Sequence, residues 1–218
     1  MDQFLFPRAE QVRVKICGIT SVGQSEEIIE LGVDALGFNF WPKSKRYLDP
    51  AKAEWLPDLA HRTLRIGVFV NPAPREVCDL LEKNLIDWAQ LHGDETPGMV
   101  SQLQQDGWKV FKALGIKNRE TLKRAPEFAG PLLLDAYAPV EYGGSGETMD
   151  WALGAEAVGM FQDRDVILAG GLTPENVQSA ILQVHPAAVD VASGVESSPG
   201  IKDIGLCRDF IQKAQSVG

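Results

Sequence analysis

Short apolar runs alternate with amphipathic stretches along almost the whole chain. The apolar runs cover residues 12–17, 34–40, 64–70, 86–91, 108–113, 131–135, 165–169 and 187–191. Most are too short for helices, are rich in β-branched residues and end near Gly, Asn or Pro. Continuous rather than alternating apolar character is the mark of strands buried on both faces. The stretches between them carry helix-start signals. Ser25 precedes Glu26, Glu27 and the apolar Ile28, Ile29 and Leu31. Asp49 and Pro50 open a second helix, residues 71–76 a third, and Thr96 and Pro97 a fourth. Residues 118–124 form a fifth, and Asp150 begins a sixth. Residues 173–176 start a seventh, and Asp203 starts an eighth. Polar caps and a Pro in the first turn are the reason to place starts there.

Strict βα alternation implies a parallel sheet with right-handed crossovers. Eight such units predict a single α/β domain closed as a (β/α)8 barrel. An open doubly wound sheet is the alternative. It would carry a Gly-rich fingerprint after its first strand, and that strand here ends in Cys17, Gly18, Ile19 and Thr20 instead. Residues 1–11 read as an N-terminal extension, and residues 12–218 as the barrel.

Composition narrows the partners. The net charge is −9 among 218 residues, and hydrophobic residues make up 44%. Such a chain buries a full core without staples, and its negative field disfavours nucleic acid and acidic membranes. The N-terminus lacks a signal-peptide apolar run, and no stretch is long enough to span a bilayer. Three cysteines at distant positions suggest no disulfide framework. A cytoplasmic location is expected. No metal-ligand set and no dinucleotide fingerprint appears, so no cofactor is expected.

In a (β/α)8 barrel the chemistry lies at the C-terminal ends of the strands. Cys17 ends the first strand, and Lys15 shares its face two residues back. A neighbouring ammonium is expected to lower the thiol pKa. Asp135 closes the apolar run of strand 6. An acid there is costly unless it is used or hydrogen-bonded. Gln90 and His92 share a face at the end of strand 4 as lining residues. The turns after strands 7 and 8 contain Gly170 and Gly171, and Ser193 and Gly194. Their position suits a phosphate site. Residues 41–47 form a basic cluster in which Arg46 suits a carboxylate by a bidentate contact. Residues 142–146, rich in glycine, suit a mobile lid. His61 and His185 read as surface residues, and Cys78 and Cys207 as core. One thiol, one carboxyl, a phosphate cradle and a cation suit cofactor-free proton transfer on a phosphorylated carbon skeleton.

Several strings carry a resemblance. They include Val14-Lys-Ile-Cys-Gly-Ile-Thr20, Gly37-Phe-Asn-Phe-Trp-Pro-Lys-Ser-Lys-Arg-Tyr47 and Gly67-Val-Phe-Val-Asn71. Gln90-Leu-His-Gly93, Leu133-Leu-Asp135 and Tyr142-Gly-Gly-Ser-Gly146 follow. Gly170-Gly-Leu-Thr-Pro-Glu-Asn176 and Asp190-Val-Ala-Ser-Gly-Val-Glu196 complete the series. In this order they resemble the phosphoribosylanthranilate isomerase family across the chain after residue 12. The resemblance implies a (β/α)8 barrel of tryptophan biosynthesis that catalyses an Amadori rearrangement. It implies Cys17 as general base, Asp135 as general acid, Arg46 as partner of the anthranilate carboxylate and the glycine turns as phosphate site. The expected shifts are opposed: the carboxyl pKa up and the thiol pKa down. Where Ala169 stands, the family often has Ser. Two other readings stay open, a non-catalytic phosphate-ligand sensor and another sugar-phosphate isomerase or epimerase.

Overall fold

The structure is a computed structural model, and it describes residue 5, residues 11–136 and residues 149–217. Eight parallel strands close into a barrel in chain order. They are β1 (Arg13–Cys17), β2 (Ala35–Asn39), β3 (Leu64–Phe69) and β4 (Trp88–Leu91), then β5 (Val110–Ile116), β6 (Leu132–Ala136), β7 (Val166–Leu168) and β8 (Ala188–Val191). Closure comes from β1 pairing with β8, with Lys15 opposite Asp190. Every apolar run predicted as a strand forms one. The boundaries shift by a few residues, most at β5, which continues to Ile116.

Two sets of apolar side chains hold the barrel. An outer shell lies between strands and helices and includes Val14, Ile16, Leu36, Phe38, Leu132, Leu134, Val189 and Val191. The alternate residues Ala35, Ile66, Trp88, Phe111, Leu133, Ile167 and Ala188 fill the interior. Period-2 alternation thus divides each strand between two cores, which is why the runs read as continuously apolar. Leu5 joins the interior set, and its backbone N–H donates to Asp165 Oδ2 at 2.7 Å.

The helices are α1 (Val22–Ile29), α2 (Pro74–Glu82), α3 (Pro97–Gln105), α4 (Arg119–Leu122), α5 (Trp151–Met160), α6 (Val177–Val184) and α7 (Ile204–Gln215). Two expectations need correction. The first helix starts after Ser21, whose side chain accepts from Gln24 N. Ser25 is a buried residue inside α1, its hydroxyl donating to the Ser21 carbonyl. No α-helix follows Asp49 and Pro50. Two 3-10 turns, Pro50–Lys52 and Leu56–Leu59, stand in its place. Pro57 has no N–H to continue an α ladder begun at Pro50. The segment closes i to i+3 bonds instead, such as Ala53 N to Pro50 O and Ala60 N to Pro57 O. After β8 come a 3-10 turn, Ser193–Val195, and a small antiparallel hairpin of β9 (Glu196–Ser198) and β10 (Ile201–Lys202). Among the described residues no helix is long and apolar enough to cross a membrane.

Candidate active site

The C-terminal ends of the strands surround a pocket. Cys17, Arg46, Gln90, His92, Asp135, Gly170, Gly171 and Ser193 all line it. Gly194, the remaining expected residue, is not in the lining and packs against the Leu172 carbonyl. His61 and His185 are exposed, and Cys207 is buried in α7, as expected. The glycine-rich stretch 142–146 lies outside the described residues.

One wall is built by β1 and β8. Cys17 sits partly exposed at the end of β1. Below it on the same face, Lys15 is fully buried, and its Nζ lies 2.9 Å from Asp190 Oδ1. Burial pushes the Cys17 thiol up. Lys15 pulls it down, Asp190 pushes it up again, and Lys202 pulls down. The balance is upward, so the expected lowering does not occur here. Burial is the main reason; Lys15 still pulls the thiol down, but its charge is answered by Asp190 across the barrel seam, which adds to the upward push. Burial disfavours charge on Lys15, yet Asp190 and Cys17 together raise its pKa. Lys15 is therefore a permanent cation beneath the thiol.

Arg46 reaches the same wall from the loop after β2. Its Nε and Nη2 donate to Glu196 Oε1 and Oε2 at 2.8 and 2.7 Å. The carboxylate that Arg46 holds in bidentate fashion in this structure is thus a side chain of β9. Lys202 Nζ donates to the same Oε1 at 2.8 Å and to the Ala192 carbonyl at 2.9 Å. Burial would push the Glu196 carboxyl up, but Arg46 and Lys202 outweigh it and hold it low. The Arg46 stem crosses Gly18, where a Cβ would collide with the arginine Cδ. Gly18 has φ +84°, so the position excludes a side chain on both counts.

The opposite wall is built by β4 and β6. Gln90 Nε2 lies 2.8 Å from His92 Nδ1, and His92 Nε2 lies 3.2 Å from Asp135 Oδ2. Asp135 Oδ1 accepts the N–H of Ala136 at 2.8 Å. Gly170 seals the far side of Asp135. Its φ is +85°, and a Cβ there would lie 2.5 Å from Ala136 N and 2.9 Å from Asp135 Oδ1. The turn after β7 is shaped by Asn176, whose side chain accepts from Thr173 N and donates to the Gly171 carbonyl. Asp190, Lys202, Glu196 and Asn176 were not among the predicted site residues. Asp190 carried a signal, being an acid inside the apolar run of strand 8. Glu196 and Lys202 lie on a hairpin that no short-range pattern announces.

A (β/α)8 barrel with a thiol, a carboxyl and two small-residue turns around one pocket belongs to the class of barrels built to hold and act on a small molecule at the C-terminal ends of their strands. Residues 14–213 match the family model of N-(5'-phosphoribosyl)anthranilate (PRA) isomerase. A Myxococcus xanthus protein named N-(5'-phosphoribosyl)anthranilate isomerase is 44% identical over 215 residues, covering 94% of this chain and 97% of its own. The crystal structure of phosphoribosyl anthranilate isomerase from Thermotoga maritima superposes with a TM-score of 0.84 at 41% identity, covering 94% of this chain and 100% of that one. A second such structure, at TM-score 0.81 and 40% identity over 94% of this chain and all of that one, was solved with reduced 1-(o-carboxyphenylamino)-1-deoxyribulose 5-phosphate. The chain belongs to the N-(5'-phosphoribosyl)anthranilate isomerase family.

Proposed function

We propose that this chain converts N-(5'-phosphoribosyl)anthranilate to 1-(2-carboxyphenylamino)-1-deoxyribulose 5-phosphate with Cys17 as base and Asp135 as acid. The observation that carries the reading is their placement on opposite walls of one pocket, with the turns after β7 and β8 at its edge. Asp135 gives its proton to the ribose ring oxygen as the C1–O bond breaks. The anthranilate nitrogen supplies its lone pair and forms a C1=N iminium. Cys17, as thiolate, removes the C2 proton, and that electron pair makes the C1=C2 bond of an enolamine. The C2 hydroxyl then loses its proton while C1 gains one, which gives the ketone. Atoms and charge balance without an added redox partner.

Binding follows the same division. Gly170, Gly171 and Ser193 face the phosphate, with Gly194 holding the second turn in place. Arg46 takes the anthranilate carboxylate from the position in which Glu196 holds it. Gln90 and His92 face the sugar. We infer a division of the chain at residue 12 and a cytoplasmic location; membership of a biosynthetic family supports the latter. The test is turnover of substrate formed from anthranilate and ribose 5-phosphate, followed as loss of fluorescence with and without EDTA. Equal turnover in both is expected. A folded protein that binds the substrate and leaves it unchanged would favour the sensor reading and sink this one.

A further inference from the structure

Gln90 contacts His92 directly and reaches Asp135 only through it. The three side chains form one line, with separations of 2.8 and 3.2 Å. With the Gln90 amide nitrogen turned toward the ring, Nδ1 of His92 is the acceptor and the imidazole proton belongs on Nε2, facing Asp135 Oδ2. Gln90 is 1% exposed and makes this contact from a fixed position on β4. Its Oε1 lines up with no hydrogen-bond partner among the described residues. Gln90 belongs to the pocket lining.

We propose that Gln90 is a positioning residue that selects the Nε2–H tautomer of His92 and thereby prepares Asp135 to release its proton. The inference rests on the assignment of Asp135 as the acid. The physical argument concerns the charge that develops on the carboxylate. When Asp135 gives up its proton, Oδ1 already accepts the Ala136 N–H. Oδ2 then needs a second donor. An Nε2–H supplies one that strengthens as the charge grows, which favours the transition state over the ground state. The other tautomer would turn a lone pair toward Oδ2. That lone pair would hold the acid's proton away from the substrate and repel the carboxylate afterwards. A carboxylate at position 90 would instead force a proton onto Nδ1, so a neutral amide donor is the group this geometry calls for.

His92 is braced for this task. Its backbone N–H donates to the Phe69 carbonyl at 2.8 Å. The neighbouring Gly93 is tied through its N–H to Glu95 and through its carbonyl to Lys112 Nζ at 2.7 Å. Lys112 and Glu95 form their own buried pair at 2.9 Å. The backbone that carries the ring is therefore held by two strands and a loop, and the choice of tautomer falls to Gln90.

The test begins with 15N spectra of the histidine rings in the full chain, with the His92 signals identified by their loss in His92→Asn. A pyridine-like Nδ1 and a protonated Nε2 are expected, and a protonated Nδ1 in the wild type would overturn the proposal. Gln90→Met is expected to mix the two tautomers and to lower kcat by about tenfold, a larger change than that in KM. Unchanged kcat in a folded Met variant would overturn it. Gln90→Glu keeps the shape and is expected to place a proton on Nδ1 and to lower kcat as well. An unprotonated Nδ1 in that variant would also overturn it. The spectra need no turnover, so they stand even where Asp135→Asn shows that the acid lies elsewhere.

Discussion

The two walls of the pocket solve opposite problems with opposite materials. The β1 and β8 wall is dense with charge: Lys15, Asp190, Arg46, Glu196 and Lys202 all lie around Cys17. The β4 and β6 wall places an amide and an imidazole in line with Asp135. The base must become an anion in a buried place, which neighbouring cations favour. The acid must keep a proton until the substrate takes it, and a fixed cation beside it would strip that proton away. The comparison teaches that the ion pairs around the thiol and the hydrogen-bonded line that ends at Asp135 are built on separate strand pairs. Cys17 and Asp135 both line the pocket between these walls.

The comparison breaks most visibly at Lys15. Lys15→Met leaves Asp190 buried without its partner and is expected to cost about 3–5 kcal/mol of stability, read from urea unfolding. Adding Asp190→Leu should restore most of that stability and none of the activity. A Lys15→Met protein as stable as the wild type would contradict the buried pair. A smaller effect sharpens the same wall. The Cys17 thiol is pushed up by burial, so its reactive form gains population as pH rises and is lost as pH falls. Alkylation of Cys17 by iodoacetamide should therefore accelerate through a midpoint above the ordinary thiol value of about 8.5. Cys207, pushed up to about 11 by burial, should stay unlabelled. A midpoint below neutral would mean that Lys15 and Lys202 outweigh burial after all. The smallest effect belongs to the phosphate edge. Ala169 lines the pocket and is 4% exposed. Ala169→Ser adds one donor and should lower KM about threefold, the worth of one ordinary hydrogen bond. An unchanged KM would leave recognition to the backbone of the two turns.

The barrel was legible in the sequence because the strands are apolar on both faces and alternate with capped amphipathic stretches. Cys17, Asp135 and the glycine turns could be read for the same reason, since a strand's last residue has a fixed place in this architecture. Helix 2 could not. Asp49 and Pro50 are a sound helix start, but Pro57 cancels the ladder they begin, and local signals do not weigh one against the other. The direction of the Cys17 shift is not legible because it is set first by burial, with Asp190 adding to it, and both arise only when β8 closes on β1. Glu196 was likewise invisible as the partner of Arg46, since 150 residues separate them. Contacts made by closure of the barrel leave no periodic trace.

The central claim is that one wall supplies the base and the other the acid. The most direct measurement is kcat for Cys17→Ala and Asp135→Asn beside the wild type, with binding of the reduced product analogue measured on each. The account expects kcat to fall by about 10²–10⁴-fold in each variant while the analogue still binds. Turnover that survives either change would contradict it, and would move that proton transfer to another group.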